Sequence, residues 1–311
     1  MNEVEIVPQA DFGGKAILVT GATGFIGAHL CRKLKRLGAK IHAVSRQLVD
    51  DTQYSWYQAD LSDSVQVDSL FEKIKPRYVF HLASLVKGAR DETLVMPMCE
   101  ANLLSTINIL SAATKLDNCR VILTGSLEEP EGEISRAVPS SPYAAAKSAA
   151  SSYARMYREL YGLSVVTARL FMVYGPDQKD DKKLVPYVIK SLLKNEQPKL
   201  MSGQRKIDWI YVEDVVDGYI AIASQDDISD YDVDIGSGEL HSVQSVVEML
   251  SYMIESSVIP ELGSVPDRAM ERERVANIQR TKELSGWSPK YSLCSGLGET
   301  VKWYAADVSK R

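Results

Sequence analysis

Short apolar runs alternate with segments of helical periodicity through the N-terminal half of the chain. The runs at 15–20, 40–45, 77–82, 120–124 and 164–169, with a shorter one at 55–58, are predicted to be strands. The segments 29–37, 64–75, 101–114 and 143–161 have the spacing of helices, and Gly38 marks a helix end. Strands that alternate with helices predict an α/β protein with a doubly wound parallel sheet.

The alternation stops near Gly175 and Pro176, where charged residues crowd 177–183. Beyond this point 207–212 still resembles a strand of a sheet and 215–223 a helix, and short elements rich in Gly, Ser and Pro follow. We therefore predict a leader at 1–14, a main domain at 15–175 to which 205–224 returns, and a smaller, interleaved C-terminal lobe over most of 176–311.

Composition narrows the class of protein. The 311 residues include 45% hydrophobic and 25% charged residues, and the net charge is −5, which excludes disordered and collagen-like chains. The mild acidity gives no basic footprint, so we expect no nucleic-acid partner. Four scattered cysteines, no secretory signal and no apolar run approaching about 18 residues indicate a cytoplasmic protein with no membrane partner. The four histidines form no i, i+4 pair, so no metal site is predicted.

A glycine-rich loop joins the first predicted strand to the first helix. Glycines here allow a tight turn and close approach of the backbone to a pyrophosphate, while the helix N-terminus attracts the phosphates. The strand–loop–helix context that this motif requires is present. We interpret 15–175 as a Rossmann-type dinucleotide-binding domain, leaving the C-terminal lobe to bind substrate. The loop residues assigned to the cofactor are Gly21, Thr23, Gly24, Phe25, Ile26 and Gly27.

Two further segments are candidates for the same cofactor. Asp60 and Leu61 follow the strand-like run 55–58, where the aspartate could accept a hydrogen bond from an adenine amino group. The alternative is that Asp60 is a solvated cap of the helix at 64–75. Leu82, Ala83 and Ser84 follow another strand and are small enough at 83–84 for the backbone to pass close to a cofactor.

A tyrosine and a lysine four residues apart lie at the start of the predicted helix 143–161. This spacing places Tyr143 and Lys147 on one face of the helix, and an ammonium beside a phenol is expected to lower the pKa of the tyrosine. Tyr143 could then exchange a proton with a carbonyl or hydroxyl group while a hydride moves to or from nicotinamide. Ser126, at the end of the preceding strand, could hold the substrate oxygen.

With these motifs the chain resembles an extended short-chain dehydrogenase/reductase, of the NAD-dependent epimerase/dehydratase family that mostly modifies nucleotide-activated sugars. The resemblance covers about 15–304, and its markers are GATGFIG, Asp60, HLAS, Asn102, TGS, YAAAK, RLFMVYGP, DWIYVED and GWSP. It implies a catalytic set of Ser126, Tyr143 and Lys147, with Lys147 also reaching the nicotinamide ribose. It further implies cofactor contacts from Asn102, Thr124, Phe171 and Val173, and a homodimer formed by the helices at 101–114 and 143–161.

Departures from the family pattern bear on the substrate. Met172 stands where many relatives have an asparagine that meets the substrate diphosphate, and Ile207 where many have an arginine. Phosphate recognition would then depend on basic residues elsewhere in the chain. We assign Lys183, Arg205 and Arg268 to substrate binding, in addition to Met172. Each of the three basic residues could instead be solvated, and the substrate could lack a diphosphate.

The residues after Ser126 bear on the reaction. Dehydratases of this family carry an acidic Asp-Glu pair directly after their hydroxyl residue, whereas this chain has Leu127 and then Glu128. Leucine cannot donate the proton for loss of water, so 4,6-dehydration is disfavoured. Glu128 could still act as a base, or could be a loop charge.

The end of the second strand bears on the choice of cofactor. NAD-specific relatives have an acidic residue there that binds the adenosine ribose, but this chain has Ser45 and Arg46. Arginine can pair with a 2′-phosphate and stack on adenine, so we predict NADP in preference to NAD. The alternative is that Arg46 is solvated and either cofactor is accepted.

These features predict an enzyme that transfers hydride at C4 of a nucleotide-linked hexose, as a 4-ketoreductase or a 4-epimerase. Three alternatives stay open: a reductase of a non-sugar carbonyl, favoured by Met172 and Ile207, a sugar dehydratase using Glu128, and a non-catalytic dinucleotide-binding sensor. The sensor is disfavoured because Tyr143 and Lys147 are both retained.

Overall fold

The computed structural model describes residues 11–130, 138–267 and 273–308. The strands are β1 (Ala16–Thr20), β2 (Lys40–Ser45), β3 (Ser55–Gln58), β4 (Tyr78–His81), β5 (Arg120–Ser126), β6 (Ser164–Leu170), β7 (Met172–Tyr174), β8 (Lys206–Tyr211), β9 (Asp232–Ile235) and β10 (Leu240–Ser242). The α-helices are α1 (Phe25–Arg36), α2 (Ser64–Ile74), α3 (Val95–Met98), α4 (Ser105–Thr114), α5 (Pro142–Tyr161), α6 (Leu184–Leu193), α7 (Val212–Ser224), α8 (Val243–Ile254), α9 (Ile278–Ser285) and α10 (Leu293–Val308).

A seven-stranded sheet has the strand order β3-β2-β1-β4-β5-β6-β9. The pairs from β3 to β6 are parallel, and the order of these six strands is that of a dinucleotide-binding sheet. The order reverses between β1 and β4, so a ligand crevice is expected outside their carboxyl ends. The predicted Rossmann-type α/β fold is confirmed.

Helices cover both faces of this sheet. On one face, α2, α4 and α5 bury a core that includes Phe71, Ile109 and Ala154 against Leu18 of β1 and Val121 of β5. On the other face, the ring of Tyr219 on α7 meets Phe80 of β4 at 6.1 Å between centroids, and Lys33 of α1 pairs with Asp217 of α7 at 2.8 Å. The short apolar runs are strands because both of their faces are buried.

The helix predicted at 101–114 is longer than expected and irregular. A 3₁₀ turn (Glu92–Leu94), α3, a π-helical segment (Cys99–Leu104) and α4 follow one another without a break. By length and composition this stretch, Glu92–Thr114, could cross a membrane, with a mean hydropathy of 1.2 over its most apolar window, so the expectation that no run approaches that limit is wrong. Its Ile109 and Leu110 are fully buried in the core described above, as in a core helix of a globular domain.

The chain divides into two units. The first comprises Met1–Leu170, Val216–Val233 and Gln279–Trp287, and the second Phe171–Val215, Asp234–Ile278 and Ser288–Arg311. Within the second unit β10, β8 and β7 form a separate three-stranded sheet. The segment 205–224 was predicted to belong to the main domain, but only its residues from Val216 onward lie in the first unit. Its strand β8 pairs with β7 and β10 of the second unit.

Candidate active site

The glycine loop lies at the reversal of strand order in the first unit. Gly21 follows β1 with φ of 69°, and a Cβ atom there would lie 2.8 Å from the Leu82 carbonyl carbon and the Ala83 nitrogen. The loop after β1 therefore packs directly on the chain after β4. Gly24 is the N-cap of α1 and provides no side-chain hydrogen bond, so the first amides of the helix are left for another acceptor. This cradle fits the pyrophosphate of a dinucleotide.

An open pocket of about 380 Å³ follows the ends of β2 and β3 and is lined by Arg46, Gln58, Ala59, Asp60 and Gln66. Asp60 accepts hydrogen bonds from the Ser62 amide at 2.9 Å and hydroxyl at 2.7 Å. These bonds, with a smaller contribution from Arg46, lower the pKa of Asp60. The Asp60 carboxylate and the Arg46 guanidinium thus line the same pocket, where an adenosine would bind.

The alternative that Asp60 caps the helix at 64–75 is wrong. The N-cap of α2 is Asp63, whose carboxylate accepts from the amides of Val65 at 2.9 Å and Gln66 at 3.2 Å. Leu61 is buried, and its carbonyl accepts a hydrogen bond from Asn108 at 2.9 Å.

Asn102 fixes the chain that leaves β4. It lies in the π-helical segment and is 1% exposed. Its oxygen accepts from the Ser84 hydroxyl at 3.0 Å and the Leu85 amide at 2.8 Å, while its nitrogen donates to the Leu85 carbonyl at 3.0 Å. The side-chain amide therefore positions Ser84, a predicted cofactor contact. A π-bulge at such a place is common at functional sites.

His81 at the end of β4 is a neutral core histidine. It is buried, and its Nδ1 lies 2.8 Å from the Thr20 hydroxyl, which also accepts from the Ala83 amide. Burial, with the nearby charge of Lys147, lowers the pKa of His81 to about 3. The imidazole is therefore uncharged at physiological pH.

Tyr143 and Lys147 are placed by the start of α5. The Ser141 side chain caps the helix by accepting from the Ala144 amide at 3.1 Å, and Pro142 occupies the first turn. Lys147 donates to the Thr124 carbonyl at 2.8 Å, and its Nζ lies 5.9 Å from the centre of the Tyr143 ring. Both side chains are buried on the face of α5 that meets the end of β5.

The hydroxyls of Ser126 and Ser84 both reach the Tyr143 phenol, and each contact lowers its pKa. Burial is the larger effect, however, and with the charges of Glu128 and Glu129 it raises the pKa of Tyr143 to about 12. Burial also lowers the pKa of Lys147 to about 8, and Glu129 opposes that shift. The expectation that Lys147 lowers the tyrosine pKa is wrong, since its ammonium bonds the Thr124 carbonyl and the phenol is desolvated.

Two carboxylates follow Ser126 on the same loop. Glu128 is half-buried, and its amide donates to the Ser126 hydroxyl at 3.2 Å. Glu129 is buried, and its Oε1 accepts from the Ser126 amide at 2.7 Å. The sequence interpretation missed Glu129. The pair of consecutive acids was its only signal, and that pattern does not tell which one is buried.

The other predicted residues lie in the second unit or outside the described ranges. Phe171 is buried, and Met172 and Val173 are half-buried on or next to β7. Lys183 precedes α6 and Arg205 precedes β8, and both are half-buried. Met172 pairs with Trp209, which places Met172 and Ile207 on one face of the small sheet. Arg268 lies outside the described residues.

The structure therefore groups Ser84, Thr124, Ser126, Tyr143 and Lys147 in the first unit and places Met172, Lys183 and Arg205 on separate elements of the second. In the second unit a basic residue that the sequence interpretation missed, Arg274, lies over the Phe171 ring at 5.9 Å. In the described parts of the chain, no group of three or more His, Cys, Asp or Glu side chains is placed to hold a metal ion.

Comparison with known proteins places these motifs in a family. The family model for the NAD dependent epimerase/dehydratase family matches residues 17–236. A UDP-glucose 4-epimerase of Mycolicibacterium smegmatis is 25% identical, covering 92% of this chain and 97% of its own. A probable dTDP-glucose 4,6-dehydratase of Sinorhizobium fredii is 29% identical, covering 93% and 92%.

Two solved structures of similar fold come from the same kind of enzyme. A UDP-glucose 4-epimerase of Thermotoga maritima with UDP-glucose has a TM-score of 0.84 at 25% identity, covering 94% of this chain and 99% of its own. A UDP-glucose 4-epimerase of Thermus thermophilus in complex with NAD has a TM-score of 0.79 at 26% identity, covering 93% and 98%. The chain belongs to the NAD-dependent epimerase/dehydratase family, the extended short-chain dehydrogenases/reductases that modify sugar nucleotides.

Proposed function

We propose that this protein transfers hydride at C4 of a nucleotide-activated sugar, as a 4-ketoreductase or a 4-epimerase, with Tyr143 as the acid/base. The observation that carries the proposal is the convergence of the Ser126 and Ser84 hydroxyls on the Tyr143 phenol, with Lys147 buried one turn further along α5. This arrangement offers one exchangeable proton and two further hydroxyl groups around a single point. A substrate oxygen bound there can be held and protonated.

Each residue has a role that follows from its surroundings. Tyr143 keeps its proton at neutral pH because burial raises its pKa to about 12, so it can donate that proton to a carbonyl oxygen. Ser126 orients the same oxygen, and the hydroxyls of Ser126 and Ser84 stabilise the phenolate that the donation leaves behind. Lys147 is assigned to the nicotinamide ribose. The nicotinamide cofactor supplies or accepts the hydride when bound. In the oxidative direction the phenolate takes back the hydroxyl proton.

The names of the relatives support a nucleotide sugar as substrate. One relative is named for UDP-glucose, another for dTDP-glucose, and one structure holds UDP-glucose. In this chain Met172 and Ile207 leave the small sheet without the polar side chains that many relatives place there. We therefore assign the diphosphate to basic residues of the second unit, of which Arg205 is the described candidate nearest to β8.

Purified protein should turn over a UDP- or dTDP-hexose or its 4-keto derivative, and Arg205→Ala should raise the KM for it by about tenfold. A charge-assisted contact contributes about 1.5–3 kcal/mol, and 1.4 kcal/mol is a factor of ten. Lys302→Ala, which removes an exposed cation of the same unit on α10, is the matched control and should leave KM unchanged. If neither UDP nor dTDP competes with the substrate, the nucleotide-sugar assignment fails and a non-sugar carbonyl takes its place.

The reductase and the epimerase differ in what happens to the cofactor. An epimerase oxidises and reduces the same carbon, so it retains its cofactor through turnover, whereas a reductase must exchange it. Mass spectrometry of the nucleotide released by denaturing the purified protein separates the two. Tightly held oxidised cofactor favours the epimerase, and an empty protein that consumes reduced cofactor in equal amount to product favours the reductase.

Dehydration is the second candidate. Relatives named 4,6-dehydratases support it, as does the half-buried Glu128, whose charge acts on Tyr143. Leu127 opposes it, since it stands where those enzymes carry an acid. Incubation with a nucleoside-diphosphate hexose and NAD should give no 4-keto-6-deoxy product, and formation of that product at a rate comparable to epimerisation would make dehydration the function.

We further propose that NADP(H) binds at least about tenfold more tightly than NAD(H), the gap that about 1.4 kcal/mol produces. Arg46 lies in the same pocket as Asp60, and its guanidinium has no hydrogen bond or ion pair among the described residues, so it is available for a 2′-phosphate. Arg46→Ala should remove most of the gap without weakening NAD(H), as measured by quenching of tryptophan fluorescence. Lys73→Ala, an exposed cation on α2, is the control. Equal affinities in the unmodified protein would refute the preference.

A cytoplasmic homodimer completes the proposal. The helices predicted to form the dimer, at 101–114 and 143–161, expose large apolar side chains in the first unit, namely Leu104, Tyr153, Leu160 and Tyr161. The four cysteines are all free thiols, as in a reducing compartment. Sedimentation of the purified protein tests the dimer.

A further inference from the structure

A buried carboxylate lies directly behind the candidate catalytic serine. Glu129 is 7% exposed. Its Oε1 accepts from the Ser126 amide at 2.7 Å, and its Oε2 accepts from the Ser151 hydroxyl at 2.7 Å. The Glu129 amide also donates to the Ser126 carbonyl at 3.1 Å. The backbone of Ser126 is therefore held on both sides by one residue.

The glycine before Ser126 makes room for this carboxylate. A Cβ atom on Gly125 would lie 2.8 Å from Glu129 Oε1 and 2.7 Å from the Thr167 methyl carbon. Both distances are shorter than real side chains tolerate, so a larger residue would displace the carboxylate. The TGS segment thus provides both the hydroxyl and the space for the acid behind it.

The carboxylate also lies close to Lys147. Ser151, which bonds Glu129, is four residues after Lys147 on α5, so both point to the same face of the helix. The other charged or titratable groups that act on Glu129 or on the pair Tyr143 and Lys147 are Glu128 on the same loop, His81 on β4, Arg169 on β6 and Asp232 on β9. Asp232 is itself paired with Arg169 at 2.9 Å and with Arg155 at 3.4 Å.

We propose that Glu129 is a positioning residue that fixes Ser126 and supplies the buried negative charge that keeps Lys147 protonated. The inference rests on the proposed function only in taking Ser126, Tyr143 and Lys147 as the catalytic set. Burial raises the pKa of Glu129, but the hydrogen bonds from the Ser126 amide and the Ser151 hydroxyl and the charge of Arg169 oppose that shift and favour the ionised carboxylate, which is desolvated. Its charge therefore acts on Lys147 through space, in a medium that screens it little.

The sign of the effect follows from the charges. Burial alone disfavours the Lys147 ammonium and lowers its pKa to about 8, while Glu129 raises it. Glu129 also raises the pKa of Tyr143. Removing one negative charge should therefore lower the pKa of both groups, and activity that needs a protonated Lys147 should be lost at lower pH.

Glu129→Gln tests this, since glutamine can still accept from the Ser126 amide and donate to the Ser151 hydroxyl while carrying no charge. The basic limb of the kcat/KM profile should move down by about one pH unit, a tenfold change in acid dissociation constant, because a nearby charge shifts a pKa by about 1–3 units. Titration of tyrosinate absorbance, taken as the difference between proteins with Tyr143 and with Tyr143→Phe, should move in the same direction. This second readout needs no substrate, so it stands even where the proposed reaction fails.

Ser151→Ala is the matched control, because it removes a hydrogen bond from the same carboxylate and leaves the charge. This variant should leave both the basic limb of the kcat/KM profile and the tyrosinate titration unchanged. Glu129→Asp, which keeps the charge on a shorter side chain, should lower kcat but restore the original pH limb. Equal titrations for the glutamine variant and the unmodified protein, or an equal shift in Ser151→Ala, would overturn the proposal. If the glutamine variant does not fold, a shift of the basic limb of the kcat/KM profile in Glu129→Asp would likewise overturn the proposal.

Discussion

Tyr143→Phe should reduce turnover by about a hundredfold or more while leaving cofactor affinity almost unchanged. The substitution keeps the ring, which is buried against Met98 and Ala146, and removes only the hydroxyl that carries the exchangeable proton. General acid–base catalysis by one positioned side chain contributes about 10²–10⁴ in rate. Because Ser84 and Ser126 remain, water bound between them could donate a proton slowly, so a small residual rate is expected.

The matched control is Tyr153→Phe, which removes a hydroxyl from the same helix at a position that is 39% exposed. It should keep the turnover of the unmodified protein. Steady-state rates on a nucleotide sugar give the first comparison, and quenching of tryptophan fluorescence by cofactor gives the second. If Tyr143→Phe keeps most of the activity, another group donates the proton and the assigned mechanism is wrong.

The fold was predictable because its signals are local. The strands β1 to β6 of the Rossmann-type sheet were recognised from their own residues, and β2 and β3 have the predicted bounds. The seventh strand, β9, was missed because it is short and alternates acidic with apolar residues. The glycine loop was predictable for the same reason, since its strand, turn and helix are contiguous. The irregular stretch before α4 was not, because a π-helical segment depends on the hydrogen bonds of Asn102 to the chain after β4.

The electrostatics of the candidate site were not predictable, because they depend on contacts distant in the sequence. The spacing of Tyr143 and Lys147 predicts a shared helix face, which is correct. It does not predict that the Lys147 ammonium donates a hydrogen bond to the Thr124 carbonyl of β5. Likewise two consecutive acids after Ser126 look equivalent in the sequence. Only the folded chain distinguishes Glu128, which is half-buried, from Glu129, which is enclosed by α5 and β5.

Gly27→Ala should weaken cofactor binding by about tenfold or more and lower the melting temperature. A Cβ atom at Gly27 would lie 2.1 Å from the Gly21 carbonyl oxygen, so α1 must move away from the loop and take its N-terminal amides with it. Overpacking of this kind costs about 1–3 kcal/mol, and 1.4 kcal/mol is a factor of ten in affinity. Gly298→Ala makes the same change in α10, where no heavy atom lies within 4 Å, and should leave affinity unchanged while stabilising that helix by about 0.5–1 kcal/mol. Cofactor titration and thermal unfolding of both variants check this. Unchanged affinity in Gly27→Ala would mean that the loop does not bind the pyrophosphate.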